Sequence, residues 1–334
     1  MATVQEDTAS LDDFEQYRGE LIGYCYRMLG SSSEAEDAVQ DTFTKAWRNL
    51  DRFEGRSSLR TWLYKIASNA CFDQLRSAQR RARPMDLSES WRVDGPIGEQ
   101  LPEVTWIQPI PDRLVRGSTA DPAEVAEGRD TVRLAFISAL QHLPPKQRAA
   151  LILCEVLRWP AADVADLLDT TVASVNSALQ RARATLDEVN ARTVTNAVPA
   201  EQQVDPAVLD RWVAAFEAYD IDALTMLVRE DAIQSMPPYE LWLQGRDQVI
   251  RWWVGPGAEC AGSRLLPTSA NGLPAFGQYR PSGPGGRHEP WALQVLEFDG
   301  DQVAEFSFFL DTDTLFPLFG LPRHPDDPVG PGGT

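Results

Sequence analysis

The stretch Pro160–Leu186, PAADVADLLDTTVASVNSALQRARATL, constrains the fold more than any other part of the chain. Its spacing predicts a short helix, a tight turn at Asp169–Thr170, and a second helix. Val172, Val175, Leu179, Ala182 and Leu186 recur at helical spacing and are expected to pack against Val164, Leu167 and Leu168. Ala173, Ser174, Ser177, Gln180 and Arg181 are left pointing outward. Small side chains, hydrogen-bonding side chains and an Arg on one face suit a helix lying in a DNA major groove. An ordinary helical hairpin with a solvated face has the same pattern, so this segment alone leaves both readings open.

With 334 residues the chain is expected to hold two or three domains, and its 43% apolar content suffices for buried cores. No apolar run approaches the roughly 20 residues that span a bilayer. The acidic opening MATVQEDTASLDDFEQ has nothing of a signal peptide, so a cytoplasmic chain without a membrane partner is expected. Cys25, Cys71, Cys154 and Cys260 lack pairing or metal spacing and read as free thiols. With only three histidines, far apart, no metal or cofactor is expected. The net charge of −18 is unevenly placed. Residues 1–83 carry 12 Lys and Arg against 13 Asp and Glu, and residues 129–193 carry 8 against 7. Residues 84–128 carry 3 against 9, and residues 194–334 carry 8 against 20. The two near-neutral segments can still present basic faces to phosphate.

Residues 11–83 read as three or four helices. Ser33 followed by Glu36 has the form of a capping box. Behind it Val39, Phe43, Ala46, Trp47 and Leu50 form an apolar stripe, which leaves Asp37, Asp41, Thr44 and Arg48 outside. A turn, DRFEGRSS, opens a second helix with Leu59, Trp62, Leu63, Ile66 and Ala70 on one face. Opposite stand Thr61, Lys65, Phe72, Arg76, Gln79 and Arg83, with Asn69 at the edge. Basic groups interleaved with an aromatic and an amide fit a surface for phosphates and unstacked bases. Residues 84–128 lose periodicity and read as a linker anchored at Trp91 and Trp106. Beyond residue 203, one helix over Pro206–Tyr219 and β-like runs such as WALQVLEF and QVAEFSFFL give an α+β pattern with late antiparallel strands.

Together these segments resemble a known family. LIGYCYRMLGSSSEAEDAVQDTFTKAWRNLDRFEGRSSLRTWLYKIASNACFDQLR resembles region 2 of bacterial sigma-70-class initiation factors, and LQHLPPKQRAALILCEVLRWPAADVADLLDTTVASVNSALQRARATL resembles their region 4. Passing from one to the other over a linker matches the group 4, extracytoplasmic-function subfamily. REDAIQSMPPYELWLQGRDQV and the strands after it resemble a SnoaL-like extension with a cone-shaped fold. The resemblance implies a multidomain chain: two all-α helical domains, the region 2 bundle at 10–83 and the region 4 helix-turn-helix at 129–193, joined by a linker at 84–128. A C-terminal α+β SnoaL-like domain at 204–322 and a mobile tail at 323–334 complete it.

The implied activity is promoter-specific initiation with core RNA polymerase and promoter DNA as partners. Asp37, Gln40, Asp41 and Thr44 would dock on the polymerase, as an acidic face suits a basic coiled coil. Arg56, Ser57, Lys65, Asn69, Phe72 and Arg76 would open and read the minus-ten element, with Asn69 at a pocket for a flipped base. Ser174, Ser177, Gln180 and Arg181 would read the minus-thirty-five element. The linker would thread the polymerase, where Glu99, Glu103 and Asp112 suit mimicry of nucleic acid; a solubilising loop fits equally well.

No enzyme is expected. Asp231 and His288 are the weak candidates for a general base, and Tyr239, Trp242 and Trp252 are candidates to line a pocket for a small-molecule ligand. The expected role is regulation in cis, by contact of the C-terminal domain with the sigma domains. The alternative is a stand-alone helix-turn-helix regulator with a ligand-sensing domain, in which the Asp37–Trp47 face has no use.

Overall fold

In the computed structural model the described residues are 11–53, 55, 57–76, 80–95, 98–115, 131–192 and 204–328. They form two compact units.

The first unit is helical. Helices α1 (Leu11–Glu15), α2 (Arg18–Leu29), α3 (Ser32–Arg48) and α4 (Leu59–Leu75) form a bundle. Gly30, at φ 72, ends α2 in the left-handed conformation that glycine adopts without penalty. Ser31, rather than Ser33, caps α3 and accepts from the Glu34 amide at 3.2 Å. The helix therefore starts two residues before the Ser33–Glu36 pattern, because Ser31 takes the extended conformation that a cap needs. Ser58 caps α4 in the same way.

Helices α5 (Leu134–Gln141) and α6 (Pro145–Leu151, continued by a π turn over Ile152–Val156) follow, then α7 (Ala161–Leu167) and α8 (Val172–Arg192). Asp169, at φ 50, makes the tight turn between α7 and α8. Val164, Leu167, Leu168, Val175, Leu179 and Ala182 are buried in that pair. Val172 is 44% exposed instead of packed, because α7 already ends at Leu167 and residues 169–171 are an exposed turn.

The interior of this unit joins the first bundle to α5–α8. The Tyr64 ring lies 4.9 Å from Trp159 and 5.2 Å from Tyr24, whose hydroxyl bonds Ser68 at 2.7 Å. Arg148 is buried and donates to the backbone carbonyls of Met28, Gln141 and Leu143 and to Gln141 Oε1. Burial lowers its guanidinium to about 10, and those carbonyls are what make so costly a placement tolerable.

The second unit contains residues 81–112, Arg133–Ala135 and the C-terminal region. Its described residues hold a six-stranded sheet in the order β2-β1-β6-β5-β4-β3. The strands are β1 (Val228–Ser235), β2 (Trp242–Gln244), β3 (Arg264–Ala270), β4 (Leu273–Arg280), β5 (Glu289–Asp299) and β6 (Gln302–Phe309). The late strands pair antiparallel as their hairpins dictate, whereas β1 and β6 pair parallel, making the sheet mixed. Helices α9 (Pro206–Ala218), α10 (Ile221–Leu227) and α11 (Arg246–Val254) cover one face, and α12 (Thr312–Leu318) follows β6. Trp212 is fully buried in the core among Phe216, Trp253 and Phe306.

Residues 81–112 pack along this domain. Ile107 donates to Ala82 O and Ala82 to Thr105 O, closing a loop. Trp91 joins the core cluster while its amide donates to Trp242 O at 2.8 Å. Leu101 donates to Pro238 O, and Ile110 exchanges bonds with Asn271. The segment that reads as a linker on composition is thus bound backbone-to-backbone, a pairing that carries no periodic signal. Residues 116–130 lie outside the described residues, as does the tail beyond 328.

Candidate nucleic-acid interface

On α3, Ala35, Ala38, Val39, Thr42, Phe43 and Ala46 are buried, so Asp37, Gln40, Asp41 and Thr44 stand exposed on the opposite face. Gln40 and Thr44 border a shallow depression of about 450 Å³ with Glu15, Arg18, Trp47 and Arg48. Trp47, expected in the apolar stripe, is 52% exposed there because Ala46 and Phe43 already fill the inward positions.

Helix α4 presents its open surface on a different side from the one its periodicity suggests. Leu63, Tyr64, Ala67, Ser68, Ala70 and Cys71 are buried. Trp62 and Ile66 are only half-buried and, with Asn69, Lys45 and Asn49, line a pocket of about 370 Å³. Phe53 packs on Trp62 with ring centroids 4.9 Å apart, fixing the indole as one wall. The Asn49 amide donates to Lys45 O at 2.8 Å, so its carbonyl end remains the acceptor. The pocket thus offers an aromatic face, an ammonium and two amides, the groups that hold a nucleobase by stacking and edge hydrogen bonds. Sequence reasoning found Asn69 but missed Trp62, Lys45 and Asn49, because the wall joins two helices and a turn.

Of the other residues assigned to this surface, Ser57 and Arg76 are exposed and Phe72 is half-buried. Arg56 and Gln79 lie outside the described residues. Lys65 is turned to the α7–α8 turn, its ammonium 2.7 Å from Asp169 Oδ1. Arg83 is not on the helix face at all: α4 ends at Leu75, and Arg83 is buried in the second unit.

On α8, Ser174, Ser177, Gln180 and Arg181 are all exposed along one side. Thr171 caps the helix, accepting from the Ser174 amide at 3.2 Å. Arg183 is held by Glu155 at 2.6 Å.

In the second unit Tyr239 and Trp242 serve the docked segment. The Tyr239 hydroxyl accepts from Gln100, and the Trp242 indole donates to Ser88 O at 3.0 Å. Trp252 borders the small interior cavity, about 30 Å³, with Phe216, Tyr219, Trp253, Cys260 and Trp291. That is room for a water molecule or two. Asp231 is paired with Arg229 at 2.5 Å, and the His288 ring bonds Gly262 O; neither borders the cavity. Glu99 and Glu103 are exposed, Glu103 accepting from Gln108 within the segment itself, whereas Asp112 accepts from the Gly272 amide, so one of the three linker acids is engaged in docking. No cluster of metal-binding side chains occurs among the described residues, and no described helix is long and apolar enough to cross a membrane.

Three family models match the chain: "Sigma-70 region 2" over residues 14–81, "Sigma-70, region 4" over 133–186 and "SnoaL-like domain" over 209–306. The chain is 44% identical over 311 residues to the ECF RNA polymerase sigma factor SigG of Mycobacterium tuberculosis, covering 92% of this chain and 82% of that protein. It is 27% identical over 252 residues to SigJ of the same organism, covering 73% and 72%. The crystal structure of the M. tuberculosis extracytoplasmic function sigma factor SigJ shares the fold, with a TM-score of 0.58 at 22% identity over 94% of this chain and all of that one.

Proposed function

As the chain belongs to the extracytoplasmic-function RNA polymerase sigma factor family, we propose which of its surfaces carry that work. The protein binds core RNA polymerase and directs promoter-specific initiation. The exposed α3 face with Asp37, Gln40, Asp41 and Thr44 docks on the polymerase. The Trp62–Asn69 pocket takes an unpaired minus-ten base, and Ser174, Ser177, Gln180 and Arg181 on α8 read the minus-thirty-five element. The pocket is the observation that carries this reading. A solvated helix face has no need of a depression whose aromatic side is buttressed by a second ring. The Lys65–Asp169 ion pair supports a further step. Elements named for positions minus ten and minus thirty-five lie about 25 base pairs apart, roughly 85 Å along B-DNA. Side chains that touch within one unit cannot serve both, so the first unit opens between α4 and α7 when it engages a promoter.

Run-off transcription with purified core polymerase tests the assignment as a whole. Core-dependent, promoter-specific transcripts are expected. Tight binding of the free chain to a duplex operator, without such transcripts, would establish the stand-alone regulator instead. Within the pocket, Trp62→Ala is expected to weaken holoenzyme binding to a single-stranded minus-ten oligonucleotide about 10–100-fold, the worth of one stacked base. Duplex minus-thirty-five binding should be unchanged. An unaltered oligonucleotide affinity would remove the pocket from base recognition.

The C-terminal domain regulates in cis, because it holds residues 81–112, the segment that joins the two promoter-reading regions. A bound linker is withheld from any path through the polymerase.

A further inference from the structure

Both ends of the linker are anchored on one pair of carboxylates. Glu297 on β5 and Glu305 on β6 are direct cross-strand partners. Glu305 lies 3.7 Å from Arg83 at the start of the linker, and Arg83 is also paired with Asp86 at 3.4 Å. Glu297 is ion-paired with Arg133, which lies just ahead of α5 at the linker's far end. All four side chains are withdrawn from solvent, with Arg83 at 5% and Glu305 at 9% exposure and Arg133 and Glu297 at 15%.

Two carboxylates facing each other in so dry a place cannot both ionise cheaply, even beside two guanidinium groups. We infer that Glu297 and Glu305 form a proton-linked latch: proton uptake by this pair tightens the hold of the SnoaL-like domain on residues 81–112, and proton loss loosens it. The charged groups around the pair are Arg83 and Asp86 from the linker and Arg133 from ahead of α5.

The sign follows from linkage, and it opposes the intuition that acid breaks ion pairs. Burial and the neighbouring Glu305 push Glu297 up from its ordinary 4.5 to about 7, outweighing Arg133 and Arg83. Burial likewise raises Glu305. When the linker leaves, both carboxylates stay on the sheet but are opened to water, which removes the burial that is the largest cause of the rise and lets Glu297 fall back towards its ordinary value. The docked state therefore holds the proton more tightly than the released state. Release becomes easier as pH rises from 4.5 towards 7 and levels off above it.

Hydrogen exchange on the full-length chain reads the latch directly. The amides of Trp91, Leu101 and Ile110 bond to Trp242 O, Pro238 O and Asn271 Oδ1 only while the linker is docked. Their protection, corrected for intrinsic exchange, is expected to fall at least about tenfold from about pH 5 to about pH 7.5. Protection of the β4–β5 amides should hold steady. Glu297→Gln mimics the protonated group, so it should keep the acid level of protection at both pH values. Glu305→Gln gives the same test should the first variant fold poorly. Wild-type protection that is flat or rises with pH would overturn the latch. So would a Glu297→Gln chain with a loosened linker at about pH 5, since the Arg133 ion pair would then be holding by charge.

Discussion

Reversing the charge of both Asp37 and Asp41 to Arg is expected to weaken binding to core RNA polymerase by about a hundredfold or more, and core-dependent transcription should fall with it. Each change turns an attraction into a repulsion across the proposed interface, and like-charge juxtaposition costs several kcal/mol. The fold should survive. Both side chains are exposed on α3, whose buried face is formed by Ala38, Val39, Thr42 and Phe43. Arg is a better helix former than Asp, while a new Arg at 41 faces Lys45 one turn on and loses a few tenths of a kcal/mol. The thermal midpoint should therefore move little. Fluorescence anisotropy against purified core polymerase reads the affinity, and an unchanged value in a folded variant would move the docking surface elsewhere.

Trp212→Ala is expected to destabilise the C-terminal domain by about 3–5 kcal/mol, close to what a domain of this kind holds in reserve. The indole is fully buried, and its ring centroid lies 5.4–6.2 Å from those of Phe306, Phe216 and Trp253. Three large neighbours locked in sheet and helix cannot collapse into the space it leaves. Denaturant unfolding, followed by near-ultraviolet circular dichroism, measures the loss. The same variant probes regulation in cis, because a cone that melts first releases residues 81–112 while the first unit stays folded. Transcription should then depart from the wild-type level. Identical output from a protein with a melted C-terminal domain would leave that domain without the regulatory role proposed for it.

The α7–α8 pair was legible because everything it needs is local: apolar residues three and four apart, and a turn at Asp169. Ser174, Ser177, Gln180 and Arg181 stand exposed for the same reason, since burying Val175, Leu179 and Ala182 on a helix fixes which residues face away. The exposure of Asp37 and Asp41 on α3 follows from that principle, while Trp47 and the Ser31 cap show its margins. Periodicity names the stripe but does not say where packing stops.

Where long-range pairing decides, sequence reasoning reached less far. Arg83 read as a basic residue beside α4 and instead pairs with Glu305, more than 200 positions away. Tyr239 and Trp242 looked like the lining of a cavity and instead hold the linker. Sequence by itself determined the helical regions, their order and the exposed faces of α3 and α8, because side-chain spacing along a helix is a property of the chain. Only the tertiary structure decided that the linker belongs to the C-terminal unit and that Trp62, Lys45 and Asn49 join Asn69 in one pocket. Backbone bonds between distant segments, and the burial of charges that neutralise one another, leave no period in the sequence.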